Sequence, residues 1–490
     1  MAPNYLSERG ALVVASRRVA VAGPRPRRFS ICGKRFIISR VIANRNFLAL
    51  VVLLAAYSVL AACAAATPKP STGAADLRAS PQADASAKAS PTAASTATIA
   101  TPAGGTQTLT WWTPEFFSAQ PSQPGGQQIA KYIADFEAAH GGKVRVSPVL
   151  KARYGKGGVL DFLRTAQAVA PGVLPDIVAL DTAELESAAA LGLLQPLNGL
   201  LDKTLLSGLY PFARESGKFD GKQAGVQVIA DLEHAIYDRG RVGIPPETWT
   251  GVLANKISYA FPAGGPQQVS VTAPPEDIQP GFLGQYLSAG GAIDPQTRAL
   301  QLQEQPLQNV LKFYDDARKA SLLAPAALEM TGPDDSWTAY AEGQAMMANV
   351  SARRYLAGRD VLQNTGFAAA PGNSGPAAPL ATGWALAIVT PDPERQKLAA
   401  EFIAGLLAPE KIGGWTSAAG WLPSSPAALD TWSGGPYRDF LAQQLNRAVS
   451  HPVGSDYPQT AARMQRALTS VLKGTASPAE AARAALNPPP

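Results

Sequence analysis

The chain has 490 residues, 46% of them hydrophobic and 16% charged, with a formal net charge of +6. The positive excess is local: residues 1–62 hold ten Lys or Arg and a single acid, Glu8, which leaves 33 basic and 36 acidic residues, a net −3, for the remainder. A body without basic excess excludes electrostatic capture of nucleic acid, and its length is ample for a core divided between two lobes.

The apolar run Phe47–Ala62 is shorter than the roughly 20 residues of a membrane-spanning helix and close to a secretory h-region. Arg40 and Arg45 precede it, and it ends in Leu60-Ala61-Ala62-Cys63. A branched apolar residue, two small residues and a cysteine resemble the lipobox of bacterial lipoproteins. The resemblance implies cleavage before Cys63 and a diacylglyceryl group on its thiol, whose two chains suffice for a stable anchor on the outer face of the bacterial cell membrane. Residues 1–62 therefore read as a signal peptide whose n-region is extended or mis-started. Arg17-Arg18 lies too far upstream for a twin-arginine signal, and Val41 is a candidate start. Residues 63–107 read as the lipidated cysteine and a disordered Ala/Ser/Thr/Pro linker. With Cys32 removed and Cys63 lipidated, the exported domain has no disulfide.

The body begins with the β-rich run Thr108–Trp112. Ile129, Tyr132, Ile133 and Phe136 mark one face of a helix over Ile129–Ala139, Val144–Val149 is a strand, and Leu160–Ala170 is a second helix. Pro175–Leu180 is a buried strand ending at Asp181, followed by a small-residue helix, Ala183–Ala190. This order predicts a parallel sheet with helices on its faces and a ligand beyond the strand ends, where Thr113–Glu115 and Asp181 lie. Helices are further predicted at Leu307–Leu323, Glu394–Leu407 and Pro458–Leu472, a strand at Thr382–Val389, a turn and strand at Glu342–Val350, and a helix start at Ser477-Pro478-Ala479-Glu480.

Five stretches together resemble the family 1 extracellular solute-binding proteins of ABC importers, the maltose-binding-protein-like group. They are TLTWWT; LPDIVALDTAELESAAALGLLQPLNGLL at 174–201; FDGKQAGVQVIADLEHAIYDRGRVGIPPETW at 219–249; EGQAMMAN at 342–349; and TGWALAIV with the later GWLPSS at 420–425. The resemblance implies an α/β fold of two lobes, 108–227 with 384–420 and 228–381 with 421–490. The chain would cross between them near Gln227–Asp231, Ala381–Trp384 and Gly420–Pro423. It also implies a monomer that binds a sugar or oligosaccharide between the lobes and presents it to a membrane permease, without a cofactor. Two departures weaken the sugar assignment. Asp181 is followed by Thr182-Ala183-Glu184, and the strand after Ala345-Met346 leads into Val350-Ser351-Ala352-Arg353-Arg354-Tyr355, where aromatic platforms are common in the family. A polyamine or other small polar solute, or a role as a ligand-presenting sensor component, stays open.

Sugars present apolar ring faces and polar edges, so their sites combine aromatic platforms with carboxylates and amides. All eight tryptophans lie in the body. Trp384 and Trp421 flank predicted crossings. Trp337 sits in the polar stretch Asp334-Asp335-Ser336, read as a loop. Trp111 and Trp112 point to opposite faces of a strand, so Trp112 is a cleft candidate if Trp111 is core. Trp249, Trp415 and Trp432 read as structural. Glu115 and Asp181 are strand-end acceptors. Of Asp231 and Glu233, one is expected to face ligand and the other solvent. Tyr355 is an alternative stacking group, and Arg353-Arg354 reads as a solvated pair, with Arg353 able to meet an anionic group. Catalysis finds little support. His140, His234 and His451 are too scattered for a metal motif, no G-x-S-x-G elbow is present, and Gly217–Gln223 is one residue short of a P-loop and lacks its hydroxyl. If Val41 is the true start, peptides from Ala2–Arg40 are absent from cells making the protein; their detection by mass spectrometry would refute that start.

Overall fold

The computed structural model describes residues 105–265, 278–324 and 326–487. The segments read as signal peptide, lipidated Cys63 and most of the linker lie outside these residues. The first half of the body follows the expected order: β1 (Gln107–Thr113), α1 (Gly126–Ala139), β2 (Val144–Leu150), α2 (Val159–Val169), β3 (Ile177–Asp181) and α3 (Thr182–Ala190). Strand β1 lies between β2 and β3 and is parallel to both. Helices cover both faces of this sheet, so Trp111 and Trp112 are both buried although they point apart. Trp111 packs with Phe117 and Phe402 on one side, and Trp112 with Phe162 and the α2 face on the other. The expectation that Trp112 reaches a cleft is corrected by that second helical layer.

Next come β4 (Val226–Asp238), α4 (Trp249–Ala254), β5 (Tyr259–Ala260), α5 (Pro280–Ser288), α6 (Glu304–Lys319), α7 (Pro333–Ala341), β6 (Met347–Ser351), α8 (Ala352–Gly358) and β7 (Thr365–Ala368). The chain continues through β8 (Leu380–Ile388), α9 (Pro393–Leu406), α10 (Pro409–Ala419), β9 (Leu422–Pro423), α11 (Pro436–Arg447), β10 (Val449–Ser450), α12 (Tyr457–Leu472) and α13 (Pro478–Leu486). Apolar spacing accounts for the long helices. In α12, Ala461, Met464, Leu468 and Val471 are buried on one face and pack with Leu307, Val310, Leu311 and Tyr314 of α6 in a core of their own. Helix α13 starts with the capping box that Ser477 and Glu480 encode.

The main sheet runs β2-β1-β3-β8-β4-β6-β5, with β7 and β9 also on β4 and β10 on β8. Strand β4 is its spine. Its first part pairs antiparallel with β8 and β9, its second part with β6 and β7. The three segments expected to cross between lobes are therefore neighbours: Asp231 pairs with Thr382, and Ala230 pairs with both Gly383 and Leu422. Gly383 is needed at this junction, because a Cβ there would stand 2.0 Å from the Ile229 carbonyl oxygen.

A buried carboxylate ties the start of the body to its middle. Asp176 accepts from the Thr110 backbone N–H (2.7 Å) and from Arg395 Nε (2.6 Å) and Nη2 (2.5 Å), while Arg395 also donates to the Thr108 carbonyl (2.7 Å). Removing one member of such a cluster leaves a backbone donor and a charge without partners. Asp176→Ala is expected to lower unfolding stability by about 3 kcal/mol, and Asp176→Asn by less, as read from urea midpoints.

Candidate functional site

The carboxyl ends of β1, β2 and β3 each deliver polar and aromatic groups to one place. Beyond β1, a short 3-10 turn carries Glu115, Phe116 and Phe117. Beyond β2 come Arg153 and Tyr154, and β3 ends at Asp181. Trp384 on β8 lies directly across from Asp181, and Trp421 immediately precedes β9. Phe116 joins the two tryptophans, with its ring centroid 5.0 Å from each, and Tyr154 also packs on Trp384, at 5.6 Å. All four rings are buried.

The polar groups are arranged around this patch. Arg153 pairs with Glu115 through Nε (2.9 Å) and Nη2, and its guanidinium lies 5.1 Å over Phe116. Asp181 accepts from the Tyr154 hydroxyl (2.5 Å) and, as the N-cap of α3, from the Ala183 backbone N–H (2.9 Å). Glu184, one turn on, is also buried. Burial first and the Asp181 charge second push its carboxyl up to about 8, and its Oε2 has no hydrogen-bond partner among the described residues.

From the other half of the body, Ser351 at the end of β6 caps α8, and this sends Arg353 toward the patch. The Arg353 guanidinium lies 3.5 Å over the Trp421 ring, close enough for a cation–π contact. Its backbone N–H donates to Asp231 (3.2 Å), which also accepts from the Leu232 N–H. Burial pushes the Asp231 carboxyl up to about 6, with the Arg353 charge acting against it. Beside this contact opens a cavity of about 650 Å³, bounded by α8, the C-terminal end of α10 and the turn leading into α11, and sharing Arg353 with the patch.

Of the residues singled out from sequence, Glu115, Asp181, Asp231, Trp384 and Trp421 are brought together around Phe116 and Arg353. The others are placed elsewhere. Trp337 is not in a loop: Pro333 and the two following acids form the first turn of α7, and the ring is buried under Arg354 at 4.7 Å. Tyr355 is enclosed by His234, Phe367 and Tyr437 and offers no open face. Glu233 does not face solvent opposite Asp231. Both are half-buried on the same side of β4, as the two-residue period requires, and Glu233 accepts from Asn349 beside the start of α5. Arg353 and Arg354 are each laid on a tryptophan and are not a solvated pair. Cys63 lies outside the described residues. Sequence reasoning missed Phe116, Arg153 and Tyr154, although the strand-end rule that selected Glu115 applies equally to the residues after β2. Among the described residues, no group of three or more His, Cys, Asp or Glu is placed to hold a metal ion, and no helix is long and apolar enough to cross a membrane.

Residues 131–436 match the family of bacterial extracellular solute-binding proteins. The chain belongs to this family. None of the curated proteins compared by sequence matches it. Its fold matches that of the cyclic α-maltosyl-1,6-maltose binding protein of Arthrobacter globiformis, with a TM-score of 0.64, 19% identity, 78% of this chain and 97% of the other covered. It also matches the sugar-binding protein MalE of Xanthomonas citri (TM-score 0.60, 18% identity, 77% and 95% covered). A third match is the GacH receptor of Streptomyces glaucescens, solved without ligand and with acarbose (TM-score 0.59, 18% identity, 78% and 97% covered). This solute-binding protein thus has the two-lobe α/β fold that its sequence implied.

Glu184 gives the site a pH signature. Its carboxyl binds a proton more readily folded than unfolded, so its contribution to stability is complete below its ordinary value of 4.5 and is lost as pH rises through about 8. The isosteric Glu184→Gln variant is expected to melt close to wild type at pH 5 and above it at pH 8.5. Equal melting temperatures at both pH values would show that the carboxyl is not held protonated.

Proposed function

We propose that this solute-binding protein captures a sugar or oligosaccharide in a cleft between two lobes and delivers it to the permease of an ABC importer. The lobes are residues 108–227 with 384–420 and 228–381 with 421–490, joined at the adjacent strands β4, β8 and β9. One observation carries the reading. Trp384, Trp421 and Phe116 form an aromatic patch where these strands meet, ringed by Asp181, Asp231 and Glu115. Ring faces and acceptors in one place are what a sugar requires. The solved proteins of the same fold, one a cyclic α-maltosyl-1,6-maltose binding protein and one complexed with acarbose, support the same class.

The aromatic faces are covered, Trp421 by Arg353 and Trp384 by Phe116 and Tyr154. Stacking a sugar there requires these groups to part, so ligand binds one arrangement of the lobes better than another and shifts the balance between them. The patch holds binding groups, and the function needs no bond-making step. The protein acts as a monomer outside the cell membrane, held by lipid on Cys63.

A ligand at 100 times its Kd adds about 2.7 kcal/mol of stability, so a thermal-shift screen of the purified protein against mono- and oligosaccharides is expected to show a clear rise with one class, without turnover of that sugar. Trp384→Ala and Trp421→Ala are expected to weaken binding about tenfold or more in calorimetry. A protein that no sugar stabilises would end the carbohydrate reading. For the anchor, Cys63→Ser is expected to move the protein from the membrane to the soluble fraction of cells; retention on the membrane would remove Cys63 from that role.

A further inference from the structure

The cavity beside Trp421 has a charge that the aromatic patch does not. Three arginines line it, Arg353, Arg359 and Arg438, and none of its lining residues is an acid. Arg438 is held by Asp430 (3.7 Å) and Asp439 (3.0 Å), and Arg359 stands 4.0 Å from Asp360 at an exposed position. Arg353 is different. The Asp231, Asp334 and Glu115 carboxylates favour its charge, but its guanidinium makes no direct hydrogen bond or ion pair among the described residues, its Nε is buried without a partner, and Asp231 is bound through the Arg353 backbone. A planar guanidinium backed by a tryptophan presents its N–H groups edgewise, in the geometry that grips a carboxylate or phosphate with two parallel hydrogen bonds.

Two further features fit an anion on a sugar. Helix α11, twelve residues long, opens onto the cavity at Gly434-Gly435-Pro436 with no side chain capping its N-terminus; its partial positive charge adds to that of the arginines, offset in part by Asp439 in its first turn. Trp432 and Tyr437 give the cavity apolar ring faces, and Ser417 and Ser433 line it as well. A volume of about 650 Å³ suits a solute of oligosaccharide size.

We propose that the solute carries an anionic group, a carboxylate or a phosphate, seated in this cavity against Arg353 with Arg359 and Arg438 around it; on the reading of the site as sugar-binding, the ligand is an acidic sugar. Arg353, which lies over Trp421, turns its donors to the anion. Trp432 supplies the ring face that the sequence around Ala352 does not.

The test is calorimetry on the purified full chain with four compounds: maltotriose, trigalacturonate, glucose 6-phosphate and citrate. The expected result is that trigalacturonate or glucose 6-phosphate binds about tenfold or more tightly than maltotriose, more weakly as salt is raised. Which of the two binds decides between carboxylate and phosphate. Arg353→Gln and the exposed Arg359→Gln are each expected to lower that affinity, Arg353→Gln by about tenfold or more, with a smaller loss for any neutral sugar. Binding of maltotriose as tight as that of the acidic sugars, insensitive to both substitutions, overturns the anionic seat and leaves the sugar reading standing. Arginine-dependent binding of citrate alone keeps the seat and overturns the sugar. An acidic sugar bound equally well by both variants removes the anion from this cavity, and silence with all four compounds overturns the anionic seat, while the sugar reading is decided by the thermal-shift screen.

Discussion

Strand β4 is the constraint on which the rest of the molecule depends. Its thirteen residues belong to both halves of the body, pairing first with β8 and β9 and then with β6 and β7. The backbone groups on both its edges must be satisfied at the junction, and this requires β8 and β9 to meet it within a few residues of one another. Trp384 and Trp421 arrive with them. Asp231 arrives on β4 itself. The site is thus a by-product of the way three strands are made to run together.

Charge within this junction is distributed in a way that low polarity makes consequential. Glu115 and Arg153 neutralise each other at the rim. Asp181 is satisfied by a hydroxyl and a helix N-terminus, while Glu184, one turn away, is left with its proton. His234, fully buried, is pushed down to about 4 by burial and stays neutral. Its Nδ1 faces the Ala235 carbonyl and must carry the proton, so Nε2 accepts from the Tyr437 hydroxyl. Arg353 makes no ion pair among the described residues, although the Asp231, Asp334 and Glu115 carboxylates are near enough to favour its charge.

Local signals were readable in the sequence where the physics is local. Apolar spacing placed α1, α6, α9 and α12 to within a few residues, and Ser477 and Glu480 announced their capping box. Trp384 and Asp181 could be placed at strand ends because both runs read as strands, and they pair across β3 and β8. Other features depend on residues far apart in the chain. Nothing near Trp112 announces the α2 face that buries it, and nothing near Tyr355 announces Tyr437. The stacking of Arg353 on Trp421 joins residues nearly 70 positions apart. Trp337 was a failure of a different kind. Pro-Asp-Asp suits a helix N-terminus as well as a polar loop, because the acids fit the helix dipole.

The Asp176–Arg395 cluster has a mechanical meaning. The chain enters the body at β1, which is flanked on both sides by parallel strands and tied by Arg395 and Asp176 at Thr108 and Thr110. A pull on the chain ahead of Gln107 runs along this strand, so its hydrogen bonds to β2 and β3 are loaded together, in shear, and cannot be peeled away one at a time. The force passes into the sheet and α9 before it reaches the junction of β4, β8 and β9. On the proposed lipid anchor, drag would be borne where the chain enters the body, and the proposed movement of the lobes would feel little of it.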